Sequence, residues 1–216
     1  MKQFDHPSLV KLYGICSREE PLYIVTEFME NGALESYLRG EEGQKLRLRE
    51  LIDISAQIAN GMAYLENKNF VHRDLAARNI LVGEKSDSSA PIVKIADFGL
   101  ARALLPEGFY EASVGHTKFP LKWTAPEAAL SKSFTVKSDV WSFGVLLYEV
   151  FTKGLRPYPT ISTRDVVFEV ENGYRMPRPA ICPQSVYDLM LKCWAKFPDD
   201  RPSFEFLHYI FHRGDL

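Results

Sequence analysis

Five polar side chains, His72, Arg73, Asp74, Arg78 and Asn79, crowd the stretch VHRDLAARNI between apolar ends. Asp74 and Asn79 lie five residues apart, just ahead of the short β-like run ILV. Eighteen residues after Asn79, the run KIADFGLAR supplies a second carboxylate, Asp97, directly behind another β-like segment. Two oxygen ligands and a further carboxylate are thereby offered from two adjacent loops. Hard divalent cations such as Mg2+ are held by one or two carboxylates plus substrate phosphates, and a remaining carboxylate can orient or deprotonate a nucleophile.

The elements that must position these groups can be read from hydrophobic period. LVKLYGI (9–15) and LYIVTEF (22–28), separated by the polar CSREEP, predict an antiparallel hairpin. ALESYLR predicts a short helix after Asn31-Gly32, and Leu51, Ile54, Ile58, Met62 and Leu65 form the stripe of an amphipathic helix that begins at Leu48. Gly61 inside it costs about 1 kcal/mol relative to alanine, which implies a close packing neighbour. Short strands are expected at FVH, ILV and IVKIA, the last two joined by the solvated turn GEKSDSSAP. Beyond Pro126 the pattern is helical, over 137–152, 163–172, 184–195 and 203–212, with prolines in the connections. No internal repeat or linker divides the chain.

With 216 residues, 46% of them hydrophobic, the chain is large enough to bury a substantial core. Its formal charge of −2, without a cluster of Lys or Arg, argues against a nucleic-acid or anionic-membrane surface. Cys16, Cys182 and Cys193 are odd in number and at no metal-ligand spacing, so they read as reduced thiols packed in a core. The most apolar run, VWSFGVLLYEVF, is interrupted by Ser142, Gly144 and Glu149 and falls short of the ~20 residues a membrane span requires. MKQFDHPS does not resemble a signal sequence. An intracellular, soluble chain is expected, with any membrane anchor lying in a longer parent. Arg213-Gly214-Asp215 matches an adhesion tripeptide but reads as a solvated terminus, and the SDSS insert as a tolerated surface loop.

HRDLAARN, DFG and WTAPEAA, in this order, resemble the catalytic loop, metal-binding loop and activation-segment end of a protein kinase. The resemblance implies an α+β protein-kinase-like fold, mainly the helical C-lobe, with residues 1–30 as a remnant of the N-lobe and hinge and 31–216 as the C-lobe. It makes Asp74 the catalytic aspartate that accepts the proton of the substrate hydroxyl, and Asn79 and Asp97 the ligands that hold Mg2+, or Mn2+, against ATP. Beside these roles, His72 reads as a buried packing and hydrogen-bonding residue and Phe98 as core. Glu127 and Arg201 resemble the buried pair that ties the activation segment to the helical body.

Kinases acting on serine or threonine usually carry a lysine two residues after the catalytic aspartate. Here that position is Ala76, and a basic group stands at Arg78 instead, as in protein-tyrosine kinases. Arg78 is therefore counted with Asp74 and Asn79 in the catalytic set. A tyrosyl hydroxyl stands farther from its backbone than a seryl one, so the peptide platform, around Pro120 to Trp123, must lie at a different depth. YIVTEFMENGALESYL, KSDVWSFGVLLYEV and GYRMPRP are similar to Src-related cytoplasmic, non-receptor tyrosine kinases, although Ala76-Ala77-Arg78 departs from the order in most vertebrate Src members.

The same resemblance makes Thr26 the residue guarding the back of the adenine pocket, gives the backbone of Glu27 and Met29 to the adenine, and makes Leu81 its floor. Without it, Met29 and Leu81 read as ordinary core. Tyr110 becomes the autophosphorylation site, its phosphate pairing with Arg73 and Arg102; the plainer reading is an unmodified exposed tyrosine. Implied partners are ATP and tyrosine-bearing proteins, with regulatory domains in a longer parent and a cytoplasmic setting that includes peripheral attachment at the inner membrane. No nucleic acid and no transmembrane segment are implied.

A complete kinase begins with a glycine-rich loop, a strand lysine and a helix glutamate that grips the lysine. MKQFDHPSLVKLYGIC resembles the end of that helix and the strand after it, so the chain is expected to supply one side of an ATP cleft and to transfer little phosphate by itself. A catalytically weak, kinase-derived binding or interfering module is the competing expectation. The presence of Asp74, Asn79 and Asp97 favours the enzyme, since a module kept for binding would not need them.

Overall fold

The computed structural model describes residues 4–16, 21, 23–85, 89–97, 102–103, 110–111 and 120–214. Strands β1 (Leu12–Cys16) and β2 (Tyr23–Thr26) pair antiparallel, Leu12 opposite Thr26 and Cys16 opposite Tyr23, with an irregularity between Leu12 and Gly14. The hairpin is shorter than its apolar runs because Leu9 and Val10 bond elsewhere: Val10 N–H donates to Ile95 O at 2.9 Å, and Ile95 N–H to Ser8 O at 2.9 Å. Tyr13, Ile15, Tyr23, Ile24 and Phe28 are exposed on and beside it, and so is Cys16, which corrects the expectation of three core thiols. Cys182 and Cys193 are buried, and burial pushes their thiols up to about 11 and about 12.

The helical body starts with two short helices, α1 (Leu34–Arg39) and α2 (Glu41–Lys45), and the long α3 (Leu48–Asn67). In α3 the stripe Leu51, Ile54, Ile58, Met62 and Leu65 is buried, as its period requires. A Cβ on Gly61 would come within 2.8 Å of Ile95 Cδ1 and 3.0 Å of Ser8 O, so the glycine lets the N-terminal segment and the strand bearing Ile95 lie against the helix.

Short strands follow. β3 (Phe70–Val71) precedes the polar loop 72–76 and a 3-10 turn, Ala77–Asn79; β4 (Ile80–Val82) then pairs antiparallel with β5 (Val93–Ile95). Two further pairs rest on residues distant in sequence. β6 (Arg102–Ala103) bonds to β3, and β7 (Tyr110–Glu111) bonds to β8 (Ser133–Phe134), which follows α4 (Pro126–Ser131).

The centre of the body is α5 (Val136–Phe151), whose residues from Ser138 to Phe151 are all buried. Thr135 caps it: its Oγ1 accepts Ser138 N–H at 3.2 Å while Ser138 Oγ accepts Thr135 N–H at 3.1 Å. α6 (Val166–Glu171), α7 (Gln184–Cys193), the 3-10 turn Pro198–Asp200 and α8 (Phe204–Arg213) complete the chain. The pattern predicts α6 from 163, three residues before its observed start. Ser162 Oγ accepts the N–H groups of Arg164 and Asp165, holding 162–165 as a turn that competes with helix. α8 packs on α3 and α7 on α5. Phe143 of α5 meets Phe204 and Phe211 of α8 edge to face. The C-terminal tripeptide falls partly in this frame: Arg213 ends α8, Gly214 caps it with φ 70°, and Asp215 is outside the described residues.

Candidate active site

The loop between β3 and β4 is held by α5 from beneath. Asp139, 1% exposed, accepts His72 N–H on Oδ2 at 2.6 Å and Arg73 N–H on Oδ1 at 2.9 Å. These bonds fix the backbone where Arg73 takes a left-handed φ of 73°. Burial pushes the Asp139 carboxyl up to about 7, against the pull of the two amides and the Arg73 charge. Ten residues on, nearly three helical turns, Glu149 does the same for the far end of the loop. Its Oε2 accepts Ala77 N–H at 3.0 Å and the Trp123 indole N–H at 2.9 Å, and burial raises its carboxyl to about 7 as well.

Within that frame His72 is fully buried. Asp74 N–H donates to its Nδ1 at 3.3 Å, so the proton sits on Nε2 and is donated to Ala96 O at 3.0 Å. Burial lowers the imidazole below its ordinary range, which keeps this neutral tautomer and suits a residue that spaces two loops. The carboxylate of Asp74 is gripped from two sides. Arg78 pairs with Oδ1, and Asn79 Nδ2 donates to Oδ2 at 2.8 Å and to the Asp74 backbone oxygen at 2.7 Å. Asp74, Arg78 and Asn79 thus form one cluster, and a carboxylate so fixed can orient a hydroxyl and take its proton without first reorganising. The Arg78 guanidinium also stacks 4.6 Å from the Trp123 ring centroid.

Asn79 and Asp97 come from the neighbouring ends of β4 and β5. Ala96 N–H donates to Asn79 O at 2.8 Å, and Asp97 follows, exposed, with a left-handed φ of 54°. Because Asn79 Nδ2 is committed to Asp74, its Oδ1 is the atom that would face a cation, with Asp97 following from the adjoining strand end. Among the described residues no three His, Cys, Asp or Glu side chains are arranged to hold a metal unaided. A pair of protein oxygens that leaves the remaining positions to phosphate and water fits Mg2+. Phe98 lies outside the described residues.

The residues expected around an adenine fall into two groups. Thr26 is exposed at the end of β2, opposite Leu12. Glu27 N–H donates to Lys11 O at 2.9 Å, and its carboxylate accepts Lys11 N–H at 2.6 Å and pairs with Lys94 Nζ at 2.6 Å. Met29 is buried, and its Cε comes 3.1 Å from where a Cβ on Gly83 would sit. Leu81 is half-buried and bridges to Ala33, while Asn31 N–H donates to Val82 O at 2.9 Å. The segment after β2 therefore runs alongside β4, bringing Met29 and Leu81 to one region.

Tyr110 and Arg73 converge on Phe134. The backbone of Tyr110 is its strand partner, and the Arg73 guanidinium lies 5.0 Å from its ring centroid; Arg102 is the strand partner of Val71. Glu127 and Arg201 form a bidentate pair, Nη1 to Oε1 at 2.6 Å and Nη2 to Oε2 at 2.9 Å, with the Arg201 side chain 0% exposed. Asp139 and Glu149 are absent from the residues that sequence reasoning assigned to the site. Their signal was two acids inside an otherwise apolar helical run.

No helix among the described residues is long and apolar enough to cross a membrane. The chain is 60% identical over 212 residues to the tyrosine protein-kinase src-1 of Caenorhabditis elegans, covering 98% of this chain and 39% of that protein. It is 54% identical over 207 residues to the tyrosine-protein kinase SRK3 of Spongilla lacustris, covering 96% of this chain and 60% of that one. It thus spans less than two thirds of either relative. The family model for protein tyrosine and serine/threonine kinases matches residues 1–211. The match along nearly the whole length, over a mostly helical body that holds Asp74, Arg78 and Asn79 in one cluster, places this chain in the protein tyrosine and serine/threonine kinase family.

Proposed function

We propose that the protein carrying this chain phosphorylates tyrosine side chains of proteins as a non-receptor, cytoplasmic signalling kinase. The observation that carries the reading is the cluster of Asp74, Arg78 and Asn79 beside Trp123, with Ala76 where a serine/threonine kinase carries lysine. When bound, ATP supplies the phosphoryl group and Mg2+, or Mn2+, neutralises charge on its phosphates. Asn79 Oδ1 and the Asp97 carboxylate would hold the ion. Asp74 would orient the tyrosyl hydroxyl and accept its proton, its own carboxylate kept in place by Arg78 and Asn79. Thr26, Glu27, Met29 and Leu81 would border the adenine. Tyr110 would be the regulatory phosphosite, since its strand partner Phe134 is also the residue on which Arg73 rests.

The test is phosphate transfer from labelled ATP, with Mg2+, to a glutamate–tyrosine copolymer and to a serine/threonine peptide, using the native protein that carries this chain. Asp74→Asn should lower tyrosine phosphorylation by about 100-fold to 10,000-fold, the usual contribution of a positioned acid–base group. Mass spectrometry of the same wild-type mixture should place phosphate on Tyr110. Undiminished activity in Asp74→Asn, or a preference for serine and threonine, would sink the reading.

A further inference from the structure

Two segments that must act together in peptide phosphorylation, the loop of Asp74 and the turn 120–123, meet on a single buried oxygen. Glu149 is 2% exposed, and its Oε2 takes N–H groups from Ala77 at 3.0 Å and from the Trp123 indole at 2.9 Å. Ala77 opens the 3-10 turn that carries Arg78 and Asn79. The Arg78 guanidinium stacks on the Trp123 ring at 4.6 Å and pairs with Asp74, which closes a circuit through Glu149, Ala77, Arg78 and Trp123. The backbone of the turn is held separately: Trp123 N–H donates to Pro120 O at 2.8 Å, and Ser142 Oγ donates to Trp123 O at 2.8 Å. Glu149 is thus left to fix the indole, and with it the surface under Arg78.

We infer that Glu149 is a positioning residue for the phosphate-accepting peptide, setting the depth of the Pro120–Trp123 platform against Asp74. The inference rests on the kinase reading above. It follows from what a buried carboxylate costs: taking a charge out of water is unfavourable unless its bonds repay it, and here the bonds from Ala77 and Trp123 come from neutral donors and join two functional segments. Burial already raises this carboxyl to about 7, so a neutral amide that presents one acceptor oxygen to the same two donors is a close substitute. An apolar side chain is not, because it leaves both N–H groups unmatched and the indole free to tilt. A shift of about 1 Å in a positioned group can cost about 100-fold in rate.

Steady-state kinetics on the native protein, with a tyrosine peptide and ATP varied in turn, separates this role from general support of the fold. Glu149→Ala should raise the peptide KM and lower kcat/KM for the peptide by about 10-fold to 100-fold, with the ATP KM within about twofold of wild type. Glu149→Gln should stay within about threefold of wild type, because one amide oxygen can serve both donors. Trp123→Phe keeps a ring under Arg78 and removes the indole donor, so it should shift the peptide KM in the same direction; it decides the question alone if Glu149→Ala does not fold. A peptide KM indifferent to these changes, an equal loss on ATP and peptide, or a Gln variant as damaged as Ala would overturn the inference. A wild-type protein without Asp74-dependent tyrosine phosphorylation would instead sink the kinase reading itself.

Discussion

Asp139 and Glu149 are both buried, and burial raises both carboxyls to about 7, yet they distribute their oxygens differently. Asp139 gives one oxygen to each of two backbone amides, whereas Glu149 gives one oxygen to both of its donors. An amide can imitate the second arrangement and not the first. Asp139→Asn must turn its NH2 group toward His72 N–H or Arg73 N–H and leave that donor unmatched in a buried place. The expected loss is about 1–3 kcal/mol of stability, read as a fall in melting temperature of about 2–4 °C per kcal/mol for a chain of this size. Glu149→Gln should melt close to wild type; equal melting of the two variants would refute the distinction. The contrast also marks what a sequence can disclose about a site. Asp74, Asn79 and Arg78 act on one another across four or five residues, so their spacing alone points to shared chemistry. Asp139 and Glu149 act on partners 67 and 72 residues away, and inside an apolar run they register as interruptions.

Among the elements, α5 shows the same limit from the side of packing. Its period reveals a stripe of Val140, Phe143, Leu147 and Phe151, which implies one buried face, but the helix is enclosed all round because α3, α7, α8 and the loop that carries Asp74 all contact it. Periodicity reports where apolar residues are needed; it does not report small residues admitted for contact. Gly144 is such a residue. A Cβ there would lie 2.6 Å from Trp194 Nε1 and 2.8 Å from Cys193 Cβ, so α5 and the end of α7 touch through the missing side chain. Both neighbours are buried and have little room to withdraw. Gly144→Ala recovers about 1 kcal/mol of helix propensity but overpacks the contact at about 1–3 kcal/mol. A net destabilisation is expected, visible as an earlier urea midpoint with an unchanged slope, and a stabilised variant would show that the helices separate freely. The two-residue strands β6 and β7 were illegible for a different reason. Each is a strand only because β3 or β8 lies beside it, and a run of two residues has no period.

At the scale of the whole molecule, the segment that ends at α4 is fastened to the helical body by Glu127 and Arg201. The Arg201 guanidinium meets both Glu127 oxygens, donates to Ala195 O at 3.0 Å and Lys137 O at 2.9 Å, and lies 5.0 Å from the Trp141 ring centroid. One arginine thereby joins α4, α5 and the connection after α7. Its charge is buried, while Glu127 keeps 32% of its side-chain surface exposed, so the two partners are not equivalent. Removing the acid leaves a buried cation with only neutral acceptors, a change that typically costs about 3–5 kcal/mol. Removing both charges removes the desolvation cost along with the attraction, and apolar replacement of a buried pair is often neutral. Glu127→Ala should therefore lower the melting temperature by about 6–20 °C, at about 2–4 °C per kcal/mol. Glu127→Leu combined with Arg201→Met should recover most of that loss. Differential scanning calorimetry of the two variants beside wild type decides it: a double variant no more stable than Glu127→Ala would mean that the neutral bonds and the Trp141 stacking of Arg201, rather than its ion pair, hold the segment to the body.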